Sequence, residues 1–421
     1  MRTFCVIPNI EKHAKAARGA CPLMNKILYY CRQDTKTSSG VGKKVFAQIR
    51  MLASDFDVSM MELTDENEIL RTSANSAIIM QQHQKGMRTR FLAQKLVRAN
   101  ATRRFHQAVT RIVREEGVDL LFVRLNRLDL SLLRVFQCAF RAGCKIVMEI
   151  PTFPYLPEIR KMRFPVNVYW EVMDWFCRPH LKKYVSAIVT CAPEKRIFGI
   201  HSIQIPNGYD FSRQKLRQMR NPNKRVHLFI MAIFHDWHGY DRLLSGLAAY
   251  RKQEEAEEVL LHFVGNGPML ESYQKYASEH GLLACCIFHD RQNDDGIYRI
   301  ASECDIAIDS LGCHRKSISL SSSLKSREYA ALGFPIVTST AIDIFEPDNP
   351  NVLYVPDDDT PIDINEIIRF YHRFYDKAPE EIRRQSENIR QRAMERSDIS
   401  VTYAMLRNAI RSALDDTVPL C

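Results

Sequence analysis

A chain of 421 residues, 46% hydrophobic and 26% charged, is long enough for two packed cores and too polar for a membrane-embedded protein. No run of eighteen apolar residues occurs, because the richest tracts, 118–133 and 145–155, are broken by Arg124, Arg127 and Glu149. The net charge of +10 is lopsided: residues 1–210 hold 33 Lys+Arg against 18 Asp+Glu, and the remainder 26 against 31, so the front half is expected to face an anionic surface.

Residues 1–24 show no clean period and are expected to be a disordered extension. From residue 25 an α/β series begins. An apolar strand over 26–31 leads through a polar loop, 32–42, into an amphipathic helix over 43–54. Strands follow at 119–124, 145–150 and 187–191, with a helix over 130–142. Val, Ile and Leu-rich runs separated by helices indicate a parallel sheet covered on both faces.

Within this half, 81–116 reads as one long helical tract with nine basic residues, Lys85, Arg88, Arg90, Lys95, Arg98, Arg103 and Arg104 among them. Phe91, Leu92, Leu96, Val97 and Phe105 are interspersed. Such a helix could dip into an anionic membrane surface or pack its apolar stripe on its own domain. No nucleic-acid-binding module accompanies the charge, so nucleic acid is not expected as a partner.

The second series restarts at 226–232. It continues through a helix over 240–252, a strand over 259–264, a helix over 269–280, a strand over 286–289, a helix over 294–303 and a strand over 304–310. A helix over 323–332 and strands over 335–338 and 352–355 complete it. Turn residues Asn207-Gly208 and Asn221-Pro222-Asn223 mark the junction. The expected organisation is an N-terminal Rossmann-like domain over 25–205, a C-terminal one over 206–395, and a segment 396–421 whose helix, 399–414, folds back across both. Two doubly wound domains leave a cleft at the carboxyl ends of their strands. The twelve cysteines are scattered, often inside apolar runs, with no CxxC pair, which reads as reduced buried thiols in a cytoplasmic protein. No zinc site is spelled out.

The segment 311–337, LGCHRKSISLSSSLKSREYAALGFPIV, carries the clearest chemistry. A polar loop enters a helix at Ser323, and the helix stops at Gly333 before a buried strand. That layout brings backbone N–H groups and a basic side chain to bear on a phosphate. Glu328, one turn further in, is placed to accept hydrogen bonds from a ribose. Four other turns are candidates for contact with a ligand. Gly40 and Gly42 lie in SGVGKK, which is not a Walker A loop because Thr37 and Lys44 replace the required Gly and Ser/Thr. Asn207-Gly208 lies in IPNGYD. His238 and Arg242 lie in HDWHGYDR, and Gly265 and Gly267 in VGNGP, each at the end of a strand.

Taken in order, SGVGKKV, LLFVR, VMEIPTFPY, IPNGYD, WHGYDR, VGNGP, IDSLGCHRK and SLKSREYAALGFPIV resemble a GT-B glycosyltransferase of the group 1, or family 4, type, as found in bacterial capsular and exopolysaccharide synthesis. The resemblance spans about residues 25–340. It implies two Rossmann-like domains, an acceptor at the first and a nucleoside-diphosphate sugar at the second, and metal-independent, retaining hexosyl transfer to a glycan or lipid-linked hydroxyl, with no cofactor besides the sugar nucleotide. It places the glycine turn at Gly40–Gly42 near the donor diphosphate, Ser323, Leu324 and Lys325 on the phosphate, and Glu328 on the ribose.

The chain departs from the family at three places. Leu320 stands where the first Glu of the E-x7-E pair belongs. Ile233 and His238 replace the usual Arg and Lys, and the segment of the N-domain catalytic histidine reads MEIPTFPY with Glu149. On this reading Glu149 takes the acceptor hydroxyl, Lys325 the leaving diphosphate and His238 a further phosphate contact, with Arg242 and Arg315 as additional cations. Two other functions fit the same sequence: a non-catalytic sugar-nucleotide-binding partner of another transferase, and a nucleotide-sugar epimerase.

Overall fold

The computed structural model describes residues 24–32, 35, 40–74, 78–82, 91–220 and 225–415; residues 1–23 of the expected extension and the loop 36–39 fall outside them. The first half comprises β1 (Lys26–Cys31), α1 (Gly40–Leu52), β2 (Asp57–Leu63), β3 (Ile69–Ser73), β4 (Ile78–Gln82), α2 (Phe91–Glu115) and β5 (Leu120–Arg124). It continues with α3 (Leu130–Arg141), β6 (Lys145–Ile150), α4 (Leu156–Arg160), α5 (Val166–Cys177), β7 (Ala187–Thr190), β8 (Arg196–Ile197) and β9 (Ile200–Gln204).

These strands form one sheet in the order β4-β3-β2-β1-β5-β6-β7-β9-β8. The middle six are parallel, while at the edges β3 pairs antiparallel with β2, β4 with β3 and β8 with β9. The turn into β3 is made by Asn67 at φ 67, a residue type that tolerates the left-handed region, with Thr64 bonding Glu68 through backbone and side chain.

The second half holds β10 (Arg225–Ile233), α6 (Tyr240–Tyr250), β11 (Glu258–Asn266), α7 (Leu270–Glu279), β12 (Cys286–His289), α8 (Asp294–Ser302), β13 (Ile306–Ile308) and β14 (Leu320–Ser321). After these come α9 (Leu324–Ala331), β15 (Ile336–Thr338), β16 (Ala341–Ile342), β17 (Val352–Tyr354), α10 (Ile364–Tyr375), α11 (Pro379–Ser397) and α12 (Ile399–Leu414). Its six-stranded sheet is parallel in the order β12-β11-β10-β13-β15-β17, which is 3-2-1-4-5-6 in sequence terms. The architecture is two Rossmann-like domains.

Each sheet is covered on both faces, as the unbroken apolar strands require. In the first, one core gathers β1, β5 and β6 side chains with Phe105, Val109 and Phe136 from α2 and α3; the other joins β1 and β2 to Val45 and Ile49 of α1 and to Leu406 and Ile410 of α12. The last helix of the chain therefore packs on the first sheet, against α1. Nine described cysteines are free thiols, all buried except the half-buried Cys191.

The expected helical tract over 81–116 is corrected in two ways. Its start is β4, added at the sheet edge, and the helix begins at Phe91. The apolar side chains of its described turns face inward, with Phe105, Val109 and Val113 buried, so this part has no apolar face to offer a membrane. Lys85, Arg88 and Arg90 lie outside the described residues.

A row of three histidines crosses the second sheet. His262 on β11 is hydrogen-bonded to His227 at 3.0 Å and to His289 at 3.2 Å, with the rings stacked. Burial, and then the like charges of His227, His289 and Arg220, push the His262 imidazole down to about 3. Its folded-state value lies below the ordinary one near 6.5, so the unfolded chain binds the extra proton and stability falls as pH drops from about 6.5 toward 3. The stability difference between the parent and His262→Gln, followed by urea unfolding, should therefore shrink by about 1 kcal/mol per pH unit over that window. A difference that does not change with pH would contradict it.

Candidate active site

In an open α/β sheet the chain leaves adjacent central strands in opposite directions at one point, and the gap that opens beyond their carboxyl ends receives ligands. Here that point lies between β10 and β13, where the loop 234–239 and the segment beginning at Asp309 emerge side by side. Leu311 donates its N–H to the His238 carbonyl at 2.8 Å. Gly239, at φ 65, sits so close that a Cβ there would come within 2.6 Å of the Leu311 backbone.

Asp309 is buried beneath the first turn of α9. It accepts hydrogen bonds from Ser326 Oγ, from the Ser310 N–H at 2.7 Å and from Lys325 Nζ at 3.2 Å. Ser323 caps the helix, its Oγ accepting the Ser326 N–H at 3.1 Å. By helix geometry the N–H groups of Leu324 and Lys325 point out of the first turn without intrahelical partners. Lys325 also donates to Tyr240 Oη at 3.1 Å, and the Tyr240 ring stacks against His238.

His238 Nδ1 accepts the His235 N–H at 3.1 Å, which leaves the proton of the neutral ring on Nε2. Burial, followed by the charge of Lys325, pushes the His238 value well below the ordinary imidazole range, so this ring stays neutral and donates from Nε2. The structure thus brings Ser323, Leu324, Lys325 and His238 to one place, with Glu328 half-buried one turn deeper in α9.

Two cations expected on the phosphate are committed elsewhere. Arg242 is buried and donates to the carbonyls of Thr360 at 2.7 Å, Pro356 at 2.8 Å and Leu311, stapling the loop at 356–360 to the one at 311. Arg315 is clamped by Asp241 at 2.8 and 3.0 Å and by Asp359 at 2.8 Å, and it donates to the Asp236 carbonyl at 2.6 Å. Both fix the shape of the site and neither presents an uncommitted guanidinium. Gly265 and Gly267 likewise have a structural cause: at φ 124 and 148, a Cβ on either would strike the backbone of Ala232 or Phe234 at 2.2–2.3 Å.

Across the cleft, Gly40 and Gly42 fall in the first turn of α1. Glu149, at the end of β6, requires a correction. Its carboxylate is buried and already holds Arg124 at 2.7 Å, Lys44 at 2.8 Å and Tyr29 Oη at 3.3 Å. Burial alone would raise it, but Arg124 and then Lys44 hold it down to about 2. A carboxylate so stabilised is a poor base near neutral pH, and it serves to position two cations instead.

Sequence reasoning also passed over Arg327, a fully buried guanidinium. It donates to the Asn207 carbonyl at 2.9 Å, Ser323 O at 3.1 Å, Ser322 Oγ at 2.9 Å and Asp343 at 2.6 Å. Asn207 in turn donates its N–H to Ser322 Oγ at 2.9 Å, so the crossing between the halves is tied to the start of α9. Two ion pairs join the halves, Lys161–Asp236 at 3.3 Å and Lys316–Glu158 at 2.8 Å. Among the described residues no group of three or more His, Cys, Asp or Glu is placed to hold a metal ion.

Removing one member of a buried charge pair strands the other, at a cost of about 3–5 kcal/mol. Glu149→Gln should therefore lower the unfolding free energy by on the order of 3 kcal/mol in a urea titration, with Lys44 and Arg124 left uncompensated. A variant as stable as the parent would return Glu149 to the list of catalytic candidates.

Residues 224–372 match the family model described as glycosyl transferases group 1. No curated protein sequence matches the chain. Solved structures share its fold almost end to end. Sucrose-phosphate synthase from Thermosynechococcus elongatus superposes with a TM-score of 0.63 at 13% identity, over 93% of this chain and 100% of that one. The HepE protein of Anabaena, in complex with UDP and glucose, gives 0.58 at 13%, over 92% and 100%. A glycosyltransferase from Rickettsia africae gives 0.62 at 9%, over 93% and 99%. The strand order and the whole-chain likeness give the protein the GT-B fold, and its second domain is similar to the group 1 glycosyl transferases over residues 224–372.

Proposed function

We propose that the protein transfers a hexose from a nucleoside-diphosphate sugar to a hydroxyl of a glycan or lipid-linked acceptor, in the synthesis of a surface polysaccharide at the cytoplasmic face of the membrane. The observation that carries this reading is the convergence of Lys325, the neutral His238 and the capped amino end of α9 at the switch point of the second sheet. The complex of HepE with UDP and glucose, on the same fold, supports a UDP-linked donor.

The anomeric C–O bond breaks with its electron pair going to the diphosphate, and a new C–O bond forms to the acceptor oxygen. Negative charge grows on the departing phosphate. Lys325, the Leu324 and Lys325 N–H groups and the Nε2–H of His238 stabilise it, each such donor being worth about 2.7–4 kcal/mol in a dry site. With Glu149 engaged by Lys44 and Arg124, the nearest acceptor for the hydroxyl proton is the leaving diphosphate, whose basicity rises as the bond breaks. Glu328 holds the ribose. Transfer is metal-independent and retaining on this reading, as the group 1 resemblance implies.

One observation favours a second reading. Leu320, where the family has its first Glu, sits in β14 paired with Ala341 and offers no carboxylate to a sugar hydroxyl. A non-catalytic partner that binds a sugar nucleotide for another transferase would tolerate that change.

Turnover separates the two. With labelled sugar nucleotide and a membrane-derived acceptor, the enzyme reading predicts transfer, reduced by roughly a hundred- to a thousandfold in kcat for Lys325→Ala. Glu328→Ala should raise the donor KM at nearly constant kcat. Saturable binding of UDP without transfer would establish the partner. Unchanged kinetics in both folded variants would remove this site.

A further inference from the structure

Six of the thirteen exposed large apolar side chains among the described residues fall within 164–176: Phe164, Val168, Tyr169, Val172, Trp175 and Phe176. Phe164 is 76% and Trp175 72% exposed. At 3.6 residues per turn, the five on α5 occupy one arc of about 120°. The opposite face holds the helix to the protein. Asp174 is buried against Tyr155 Oη at 2.5 Å and ion-paired with Arg178, Cys177 is buried, and the Arg127 guanidinium lies 5.1 Å from the Trp170 ring. The apolar stripe is thus turned outward by the fold.

Its surroundings are basic. Residues 160–183 contain six Lys+Arg and two acids, and both acids are engaged internally, Glu171 by Arg160 at 2.6 Å and Asp174 by Arg178. Arg163, Lys182 and Lys183 are exposed beside the stripe. The pairs Lys161–Asp236 and Lys316–Glu158 place the preceding α4 segment against the loop that carries His238. Among the described residues no helix is long and apolar enough to cross a membrane.

We propose that α5 and its basic flanks are the seat by which this protein lies on an anionic lipid surface. A short helix with an aromatic stripe and a basic rim lies in the headgroup plane, with Trp and Tyr at the boundary and Lys and Arg on anionic lipid. Charge decides between a lipid surface and a second copy of the chain. An isologous dimer through this face would oppose two basic rims, whereas an anionic bilayer complements them. The seat borders the cleft on the α4 side. If the transferase reading holds, a lipid-linked acceptor reaches the site without leaving the membrane.

Flotation of the whole chain with vesicles tests this without donor or acceptor, so its outcome is independent of transferase activity. Vesicles of phosphatidylcholine with phosphatidylglycerol should carry the protein, and phosphatidylcholine alone should carry much less. Trp175→Ser/Phe176→Ser should weaken binding by roughly tenfold or more, and Lys182→Glu/Lys183→Glu should weaken it and flatten its salt dependence. These side chains are exposed, so thermal melting should match the parent and confirm folding. Three results would overturn the proposal: no binding to the anionic vesicles, equal binding by parent and both variants, or a dimer lost in the aromatic variant without vesicle binding.

Discussion

An eight-residue helix has little stability of its own, so the place of α9 is set by what holds its first turn. Two buried charges of opposite sign do so. Asp309 lies beneath the turn, bonded to Ser326 and Lys325, and Arg327 anchors the other side to Asn207 and Asp343. Neither can be left unpaired in the interior without a penalty of several kcal/mol, so the helix end has few alternative positions. Tyr329 adds a third tether, its hydroxyl accepting the Met231 N–H at 2.9 Å. A rigid amino end with a lysine beside it is the preorganisation that stabilising a leaving diphosphate requires.

The same economy governs the rest of the cleft. Most charges near the switch point hold loops: Arg242 gathers the segments at 311, 356 and 360, and Arg315 joins the loop at 236–241 to Asp359. The proposed donor contacts are a small set, Lys325, itself held by Asp309 and Tyr240, and a histidine kept neutral. On the opposite wall Lys44 and Arg124 share the buried carboxylate of Glu149. Loop geometry and ligand charge are thereby assigned to different residues.

The succession of strands and helices in the second domain and the start of α9 were readable because they depend on local signals: unbroken apolar runs, a Ser cap and a Gly stop at Gly333, whose φ is 76. The fates of Arg242, Arg315 and Glu149 were not readable, because their partners are distant in sequence. Arg315 meets Asp241 seventy-four residues away and Glu149 meets Lys44 one hundred and five away. A charged residue in a strand-end loop looks the same whether its partner is a ligand or a remote side chain. The outward face of α5 was not anticipated, since no element was expected over 166–177; the packing of Asp174 and Cys177 shows which side is covered. The basic helix α2 misled in the other direction, since Phe105, Val109 and Val113 are consumed by the first core.

These features form one arrangement: a helix end fixed by buried charge, an opposing wall that carries Lys44 and Arg124, and a crossing at Asn207 tied to that same helix end. The most direct test is a crystal structure of the protein with UDP. The account predicts the diphosphate against the amino end of α9, within hydrogen-bond reach of the Leu324 and Lys325 N–H groups and of Lys325 Nζ. A diphosphate bound elsewhere, with that helix end still closed over Asp309, would contradict it.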